Sequence, residues 1–438
     1  MTYHNAIKYI TTAPQKTGIT ESLERTALLL ARLGSPEHRL PYIRFAGSNG
    51  KTVCQAMLAS ILCESGMCVG SLLMPTHDDP RENIIINKAP LSIESTVKYV
   101  SLIASAVNTL SDKIAAAEGT ADSSIPESFI SGKVSIHPTK NEIIFLIALL
   151  AFRDAECDIC LIEGDHNGVD PTKLLAPPNT VVICGTIPEE NTKETHRIRS
   201  YLSSGISEVI SAPQDSETYK IISSACARIN CRLSVPMRSM LEVSRLSLGG
   251  SEFLYRGEKY KLSLCGRFQI QNAITVIEVV ESLNRTGKSI PLEAVCRGLE
   301  KLSAPTKFET VSVSPTIIID STHKTEAVPT MCDTLGDFKE QIGSKIALCI
   351  CPDEPLISEY VSCLESLGFE VTELILPLFD KANPPEMTLN CPVAVAPTPK
   401  AATKKIISTA SEMGLVLITA PDTLSNKLRG EILKTLGF

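Results

Sequence analysis

The stretch YIRFAGSNGKTVCQAMLASILCESGMCVGSLLMP, Tyr42 to Pro75, decides the fold. YIRFAG reads as a buried strand, the run Val53 to Gly66 as a helix stopped by glycine, and MCVGSLLMP, Met67 to Pro75, as a second strand. Strand, glycine-containing turn, helix and strand make a βαβ unit. The turn itself, AGSNGKT, carries chemistry. Gly47, Ser48, Asn49 and Gly50 are small or turn-forming, so the backbone can bend tightly and point successive N–H groups, with the helix N-terminus, at an anion. Lys51 adds a mobile positive charge toward terminal phosphates, and the Thr52 hydroxyl is placed to ligate Mg²⁺. Phe45 stands where the first glycine of G-x-x-x-x-G-K-[ST] would be, which leaves a shorter G-x-x-G-K-T form. A glycine-rich turn that merely ends in Lys-Thr is the plainer alternative, but the strand before and the helix after are the context a phosphate loop requires. As a solvent-facing loop residue, Lys51 is expected to contribute little to the core.

Upstream, LERTALLLARLG, Leu23 to Gly34, has apolar residues at helical spacing and a glycine stop. Further strands are expected at Asp158 to Gly164, Thr180 to Gly185 and Ser207 to Ala212. Ser111 to Lys140, rich in Ser, Ala, Gly and charge, reads as a surface connection of no assigned form. FQIQNAITVIEVVESLNRTG, Phe268 to Gly287, is a long amphipathic helix, SAPTKFE breaks the pattern, and TIIID, Thr316 to Asp320, begins a new strand. The pattern predicts an α/β protein with a mostly parallel sheet: a large phosphate-loop ATPase-type domain over residues 1–302 and a smaller Rossmann-like α/β domain over 303–438.

At 438 residues, with 43% hydrophobic and 21% charged, the chain has an ordinary globular composition and room for two or three domains. A net charge of −7 leaves no global positive field for a nucleic-acid backbone, so an anion site must be local. The absence of a long apolar segment predicts a soluble, cytoplasmic protein without membrane partners. The 15 cysteines are spread over a long chain, many within apolar runs, which fits a reducing compartment. Cys157 and Cys160, the one Cys-x-x-Cys pair, read as packing residues rather than metal or redox groups.

Several segments, in order, carry a resemblance. They are YHNAIKYI, SLERTALLLARLGSPEHRL and YIRFAGSNGKT; MPTHDDPRENIIINKAPLS with His77, Glu82 and Asn87; and PTKNEIIFLIALLAF with Glu142. They continue with LIEGDHNGVDPTK, containing Glu163, Gly168, Asp170 and Thr172, then GRFQIQNA, APTKFE and IIIDSTHKTEA. Together they resemble the folylpolyglutamate synthase and dihydrofolate synthase family of the Mur-ligase superfamily over nearly the whole chain.

The resemblance implies an ATP-dependent acid–amino-acid ligase, in which a carboxylate becomes an acyl phosphate that the amino group of L-glutamate attacks. It implies ATP and Mg²⁺, with folate or dihydropteroate as the acid. By similarity, Lys51 holds phosphates, Thr52 and Glu163 coordinate Mg²⁺, Asn272 and Lys307 face ATP, and Asp320 with His323 completes the nucleotide site, in a cleft between domains. From the residues alone, Glu163 ending an apolar strand reads as metal ligand or packed carboxylate, and His77, Glu82, Glu142 and Gln269 read equally as hinge or surface groups. Departures from the family pattern gather at a second metal: GTIPEEN lacks its histidine, Ser203 stands in the carbamylated-lysine position, and Lys307 and Lys173 replace Arg and Asn. Glu189 or Glu190 are candidate substitutes. A nucleotide-binding relative with little ligase activity, or a ligase for another acid and amino acid, are the alternatives. A monomer is expected.

Overall fold

The computed structural model describes residues 1–14, 23–38, 40–47, 49–73, 79–117, 125–164, 170–187, 192–321, 325–378, 391–413 and 415–437. Packing divides the chain into two compact units, Met1–Pro236 with Thr275–Gly298, and Met237–Ile274 with Leu299–Phe438.

The first unit holds an eight-stranded sheet among the described residues: β1 Tyr42–Ala46, β2 Val69–Leu72, β3 Ile84–Ile86, β4 Ala89–Pro90, β5 Ile159–Glu163, β6 Thr180–Ile183, β7 Glu208–Ser211 and β8 Arg232–Ser234. Their spatial order is β4-β3-β2-β5-β1-β6-β7-β8. Strands β2, β5, β1, β6, β7 and β8 run parallel, while β3 and β4 form an antiparallel edge. The central strands are buried on both faces and read as continuous apolar runs, as parallel strands do. Helix Lys140–Asp154 is buried from Glu142 to Phe152, because IIFLIALLAF is apolar around its full circumference. The chain leaves β1 toward β2 on one side, while β6 to β8 build out on the other. Sites in such folds lie beyond the strand C-termini near this reversal, here the ends of β1 and β5.

The second unit contains a three-stranded antiparallel sheet, β9 Leu241–Ser247, β10 Gly250–Tyr255 and β11 Glu258–Leu262. It also holds a six-stranded sheet of β12 Glu309–Val313, β13 Thr316–Asp320, β14 Lys345–Ile350, β15 Glu370–Pro377, β16 Val393–Ala396 and β17 Leu415–Thr419, ordered β12-β13-β17-β14-β15-β16. All but β12 pair in parallel. Apolar clusters cover both faces, one around Phe338, Tyr360 and Leu374 and one around Ile406, Ile418 and Leu428. The protein is therefore α/β with mostly parallel sheets. Among the described residues no helix is long and apolar enough to cross a membrane.

The expected elements appear with small shifts. The phosphate-loop helix starts at Lys51 rather than Val53, and the long helix spans Arg267–Arg285. Part of the segment assigned no form is helix, since Ile93–Ala117 continues through Ser111 and the alanine run after it, and Glu127–Ile130 forms another turn.

Glu208, at the start of β7, ties the first sheet to Ser282 and Arg285, which lie in the first unit. It accepts from Ser234 Oγ (2.7 Å), Ser282 Oγ (2.5 Å) and Arg285 Nη2 (2.6 Å). Burial alone would raise its carboxyl. The hydrogen bonds from Ser282 and Ser234, with the charges of Arg285 and Arg232, outweigh that and hold it below the ordinary carboxylate value. The unfolded chain then binds this proton more readily, so the stabilisation is present above the unfolded value and is lost as pH falls through the folded one. Urea midpoints measured from pH 7 down to pH 3 should fall less steeply for Glu208→Gln than for the parent. Parallel pH profiles would refute the assignment.

Candidate active site

β1 runs straight into the phosphate loop. Gly47 sits at φ +114°, and a Cβ there would lie 2.1 Å from the Cys184 carbonyl oxygen. The contact is backbone against backbone, because Cys184 N donates to the Ala46 carbonyl (2.8 Å) as β6 passes beside the loop. Gly185, on the same crossing, would bring a Cβ to 2.8 Å from the Asn49 carbonyl oxygen. Gly50, left-handed at φ +79°, precedes the helix Lys51–Glu64 and has no side chain with which to cap it. The first helical N–H groups thus face the loop, where an anion is favoured. Asn49 is exposed and Ser48 lies outside the described residues. Gly47→Ala is predicted to displace the loop and weaken nucleotide binding at least 100-fold, roughly the 3 kcal/mol of a backbone clash plus a strained φ. Titration with an ATP analogue checks this, and unchanged affinity would show that the loop does not hold the nucleotide.

Lys51 corrects the sequence expectation. Its side chain is buried, with Nζ donating to the Gly47 carbonyl (2.6 Å) and lying 3.5 Å from Glu163 Oε1. Adjacent parallel strands explain the meeting: Phe45 of β1 pairs with Glu163, the last residue of β5, and the loop folds back over both. Behind the loop, Cys184 is fully buried. Burial and the neighbouring Cys54 push its thiol well above the ordinary value, despite the charge of Lys51. Thr52, half-buried, lies on the helix's first turn. Among the described residues no group of three or more His, Cys, Asp or Glu forms a metal cage. One buried carboxylate, Glu163, and one hydroxyl, Thr52, are hard oxygen donors. They suit Mg²⁺, which keeps several waters and completes its shell with substrate phosphates.

The chain leaving Glu163 is held by a buried polar cluster. Arg44, on β1, donates to Thr172 Oγ1 (2.6 Å) and to the Thr172 carbonyl (3.0 Å), and lies 3.5 Å from Asp170 Oδ2. Asp170 accepts from Thr172 N (2.9 Å) and Thr172 Oγ1 (2.6 Å), capping the turn Pro171–Leu174. The Arg44 guanidinium lies 4.5 Å from the Tyr201 ring centroid. Burial first, and then the charge of Asp170, push the Tyr201 phenol up. Gly164 is glycine because a Cβ would meet Tyr201 Oη at 2.7 Å and Asp170 Oδ2 at 3.0 Å. The sequence reading passed over Arg44 and Tyr201. A charged residue inside the apolar strand YIRFAG was the available signal, since a buried charge is informative where a buried leucine is not.

The second unit gathers a separate set. Asp320, buried, ends β13. Lys307 Nζ donates to Ser321 Oγ (2.6 Å), Ser321 N to the Thr306 carbonyl (2.8 Å), Gln269 Nε2 to the Lys307 carbonyl (3.3 Å), and Asn272 Nδ2 to Gln269 Oε1 (3.1 Å). Asn272, Lys307 and the residue after Asp320 are therefore linked. Thr306 and Phe308 hold positive φ values of 60° and 56°, and Glu309, gripped by the Arg429 fork, accepts from Thr306 N to fix that turn. His323 lies outside the described residues, as do His77, Gly168, Glu189 and Glu190. Glu82, Lys173 and Ser203 are exposed. Asn87 is a hairpin-turn residue whose Oδ1 accepts from Val69 N (2.8 Å). Glu142 is a buried structural hub.

No family model matches the chain. It is 25% identical over 331 residues to a probable bifunctional folylpolyglutamate synthase/dihydropteroate synthase of Halobacterium salinarum, covering 72% of this chain and 37% of the relative. The chain thus spans little more than a third of that relative's length. It is 27% identical over 362 residues to the dihydrofolate synthase/folylpolyglutamate synthase of Bacillus subtilis, covering 78% of each. In fold it is similar to the Mycobacterium tuberculosis folylpolyglutamate synthase complexed with ADP and AMPPCP, at TM-score 0.76 and 17% identity, over 100% of this chain and 99% of that one. A phosphate loop whose lysine meets the carboxylate ending β5, on a fold similar from end to end to that of these synthases, makes the chain similar to the folylpolyglutamate synthase and dihydrofolate synthase family.

Proposed function

We propose that the protein is an ATP-dependent ligase that joins L-glutamate to the carboxylate of a folate or dihydropteroate. The observation that carries this reading is Lys51 Nζ 3.5 Å from Glu163 Oε1, at the N-terminus of a helix that follows a phosphate loop. A carboxylate is a poor electrophile at neutral pH. Transfer of the terminal phosphoryl group of ATP turns one of its oxygens into a leaving group, and the glutamate amine then displaces phosphate as the amide forms. Bringing two anions together requires fixed positive charge. Lys51 supplies it by exchanging the Gly47 carbonyl for phosphate oxygens, while the loop N–H groups orient them. Glu163 and Thr52 would hold Mg²⁺, which when bound offsets phosphate charge. Arg44, Asp170 and Thr172 fix the strand exit on which Glu163 stands. Asn272, Lys307, Asp320 and His323 are assigned to the nucleotide, and a cytoplasmic monomer, with a domain division at 302, completes the reading. The lack of a histidine in Gly185–Asn191 and of a lysine at Ser203 supports an enzyme running on one tightly held Mg²⁺.

The test is ADP release with ATP, Mg²⁺ and L-glutamate, with and without dihydropteroate or tetrahydrofolate. Folate-dependent ADP with product gaining one glutamyl unit is expected. ATP binding without turnover on any folate would overturn the proposal in favour of a nucleotide-binding relative.

A further inference from the structure

A second group of side chains with chemistry of its own lies at the other end of the same strands. Cys68 immediately precedes β2 and Cys157 lies just before β5. These strands are parallel neighbours with Val69 opposite Ile159. Their starts are clamped by Asp158, whose N donates to the Cys68 carbonyl (2.8 Å) and whose Oδ2 accepts from Cys68 N (2.7 Å). The two sulfurs stand 3.8 Å apart. Cys68 is partly exposed, whereas Cys157 and Cys160 are buried. Asn87 Nδ2 donates to Cys68 Sγ (3.5 Å), a contact that favours a thiolate there.

We propose that Cys68 and Cys157 are an oxidation site that closes an intramolecular disulfide by exchange with a low-molecular-weight disulfide such as oxidised glutathione. The Cys68 thiolate attacks one sulfur of that disulfide. Its S–S bond breaks, and the departing thiolate takes up the proton Cys68 has lost. Cys157, whose thiol the neighbouring Cys160 and burial hold well above its ordinary value, then gives up its proton as its sulfur attacks Cys68 Sγ and expels the second small thiolate, which takes up that proton. The protein loses two electrons and two protons, and the small disulfide gains both as two thiols. With the starts of β2 and β5 held side by side, the bridge closes the sulfurs from 3.8 Å to bonding distance. It ties residue 68 to residue 157, restraining the unfolded chain. Lys51 and Glu163 sit at the opposite ends of the strands. The Cys157 and Cys160 pair is thereby reassigned: Cys160 packs in the core and Cys157 finds its partner across the sheet.

Burial pushes the Cys68 thiol above its ordinary value, so the full chain is incubated with oxidised glutathione at mildly alkaline pH. Non-reducing peptide mapping of the unmodified protein is expected to show a Cys68–Cys157 peptide that dithiothreitol removes, with the thermal midpoint raised by roughly 2–4 °C. Cys68→Ser should abolish the bridge and Cys160→Ser should retain it. Absence of the bridge in folded protein, or a bridge mapped to Cys157–Cys160 or Cys63–Cys68, would overturn the assignment. The map of the unmodified protein decides the matter even if a variant fails to fold.

Discussion

Lys51→Ala is expected to lower folate-dependent ADP release about 1000-fold in kcat/KM, roughly 4 kcal/mol of transition-state stabilisation. The same change should also destabilise the first unit by about 1–3 kcal/mol, because the lysine is built into the structure that presents it. Its ammonium satisfies the Gly47 carbonyl at 2.6 Å and stands 3.5 Å from the buried Glu163 carboxylate. Alanine removes the donor from the carbonyl and the cation from the carboxylate. A single variant therefore mixes two effects. Pairing it with a neutral partner separates them: in Lys51→Met with Glu163→Gln no charge remains to be compensated, and stability should return to within about 1 kcal/mol of the parent, while turnover stays absent. Urea denaturation and ADP release on the same preparations check both parts. Retained turnover in the single variant would sink the phosphate role, and a double variant as unstable as the single one would sink the account of the buried pair.

That double role marks the limit of what the residues disclosed. Strand, loop and helix from Tyr42 to Pro75 were legible because burial on both faces of a parallel strand writes itself as an unbroken apolar run, and glycine marks the turns. The helix start was misplaced by two residues, since the left-handed Gly50 turns the chain before the apolar period begins. The small antiparallel sheet went unread for a different reason. Phe253, Tyr255, Tyr260 and Leu262 alternate inward, but the hairpin between β10 and β11 turns on Arg256–Gly257 with both residues at positive φ, and arginine is not a residue that announces such a turn. Around the loop, the Gly47 to Lys51 pattern was legible from residue types and spacing, whereas Glu163 entered through the family resemblance, its own position leaving metal ligand and packed carboxylate open. Arg44 and Tyr201 were not legible, because they act through burial and through partners more than a hundred residues away, which no local pattern encodes. Glu142 illustrates the converse. It matched a family segment, yet its residue type could not tell a ligand-facing carboxylate from a structural one.

Glu142→Ala should cost about 3–5 kcal/mol, a large part of the roughly 5–15 kcal/mol that holds a domain folded. Its two carboxylate oxygens accept from Arg25 Nε and Nη2 at 2.7 to 3.2 Å, from Thr26 Oγ1 at 2.6 Å, and from Thr139 N and Oγ1 at 2.7 and 2.8 Å. Thr139 closes the capping box by accepting from Glu142 N, so one carboxylate starts the buried helix Lys140–Asp154 and neutralises a guanidinium that is only 1% exposed. Removing it leaves the buried Arg25 guanidinium with its bond to the Ser135 carbonyl (3.0 Å) but without its counter-charge. Glu142→Gln keeps an acceptor for Thr139 but not the charge, so its loss should be smaller. Replacing Arg25 by methionine in that background should recover part of it, because the uncompensated cation, rather than the missing bond, dominates the cost. Urea midpoints of the parent, Glu142→Gln, Arg25→Met and the double variant complete the cycle that measures the coupling. If Glu142→Ala kept its midpoint and lost only turnover, the carboxylate would belong to the substrate; if stability falls while turnover per folded molecule holds, it belongs to the scaffold, as the ring of five donors around it requires.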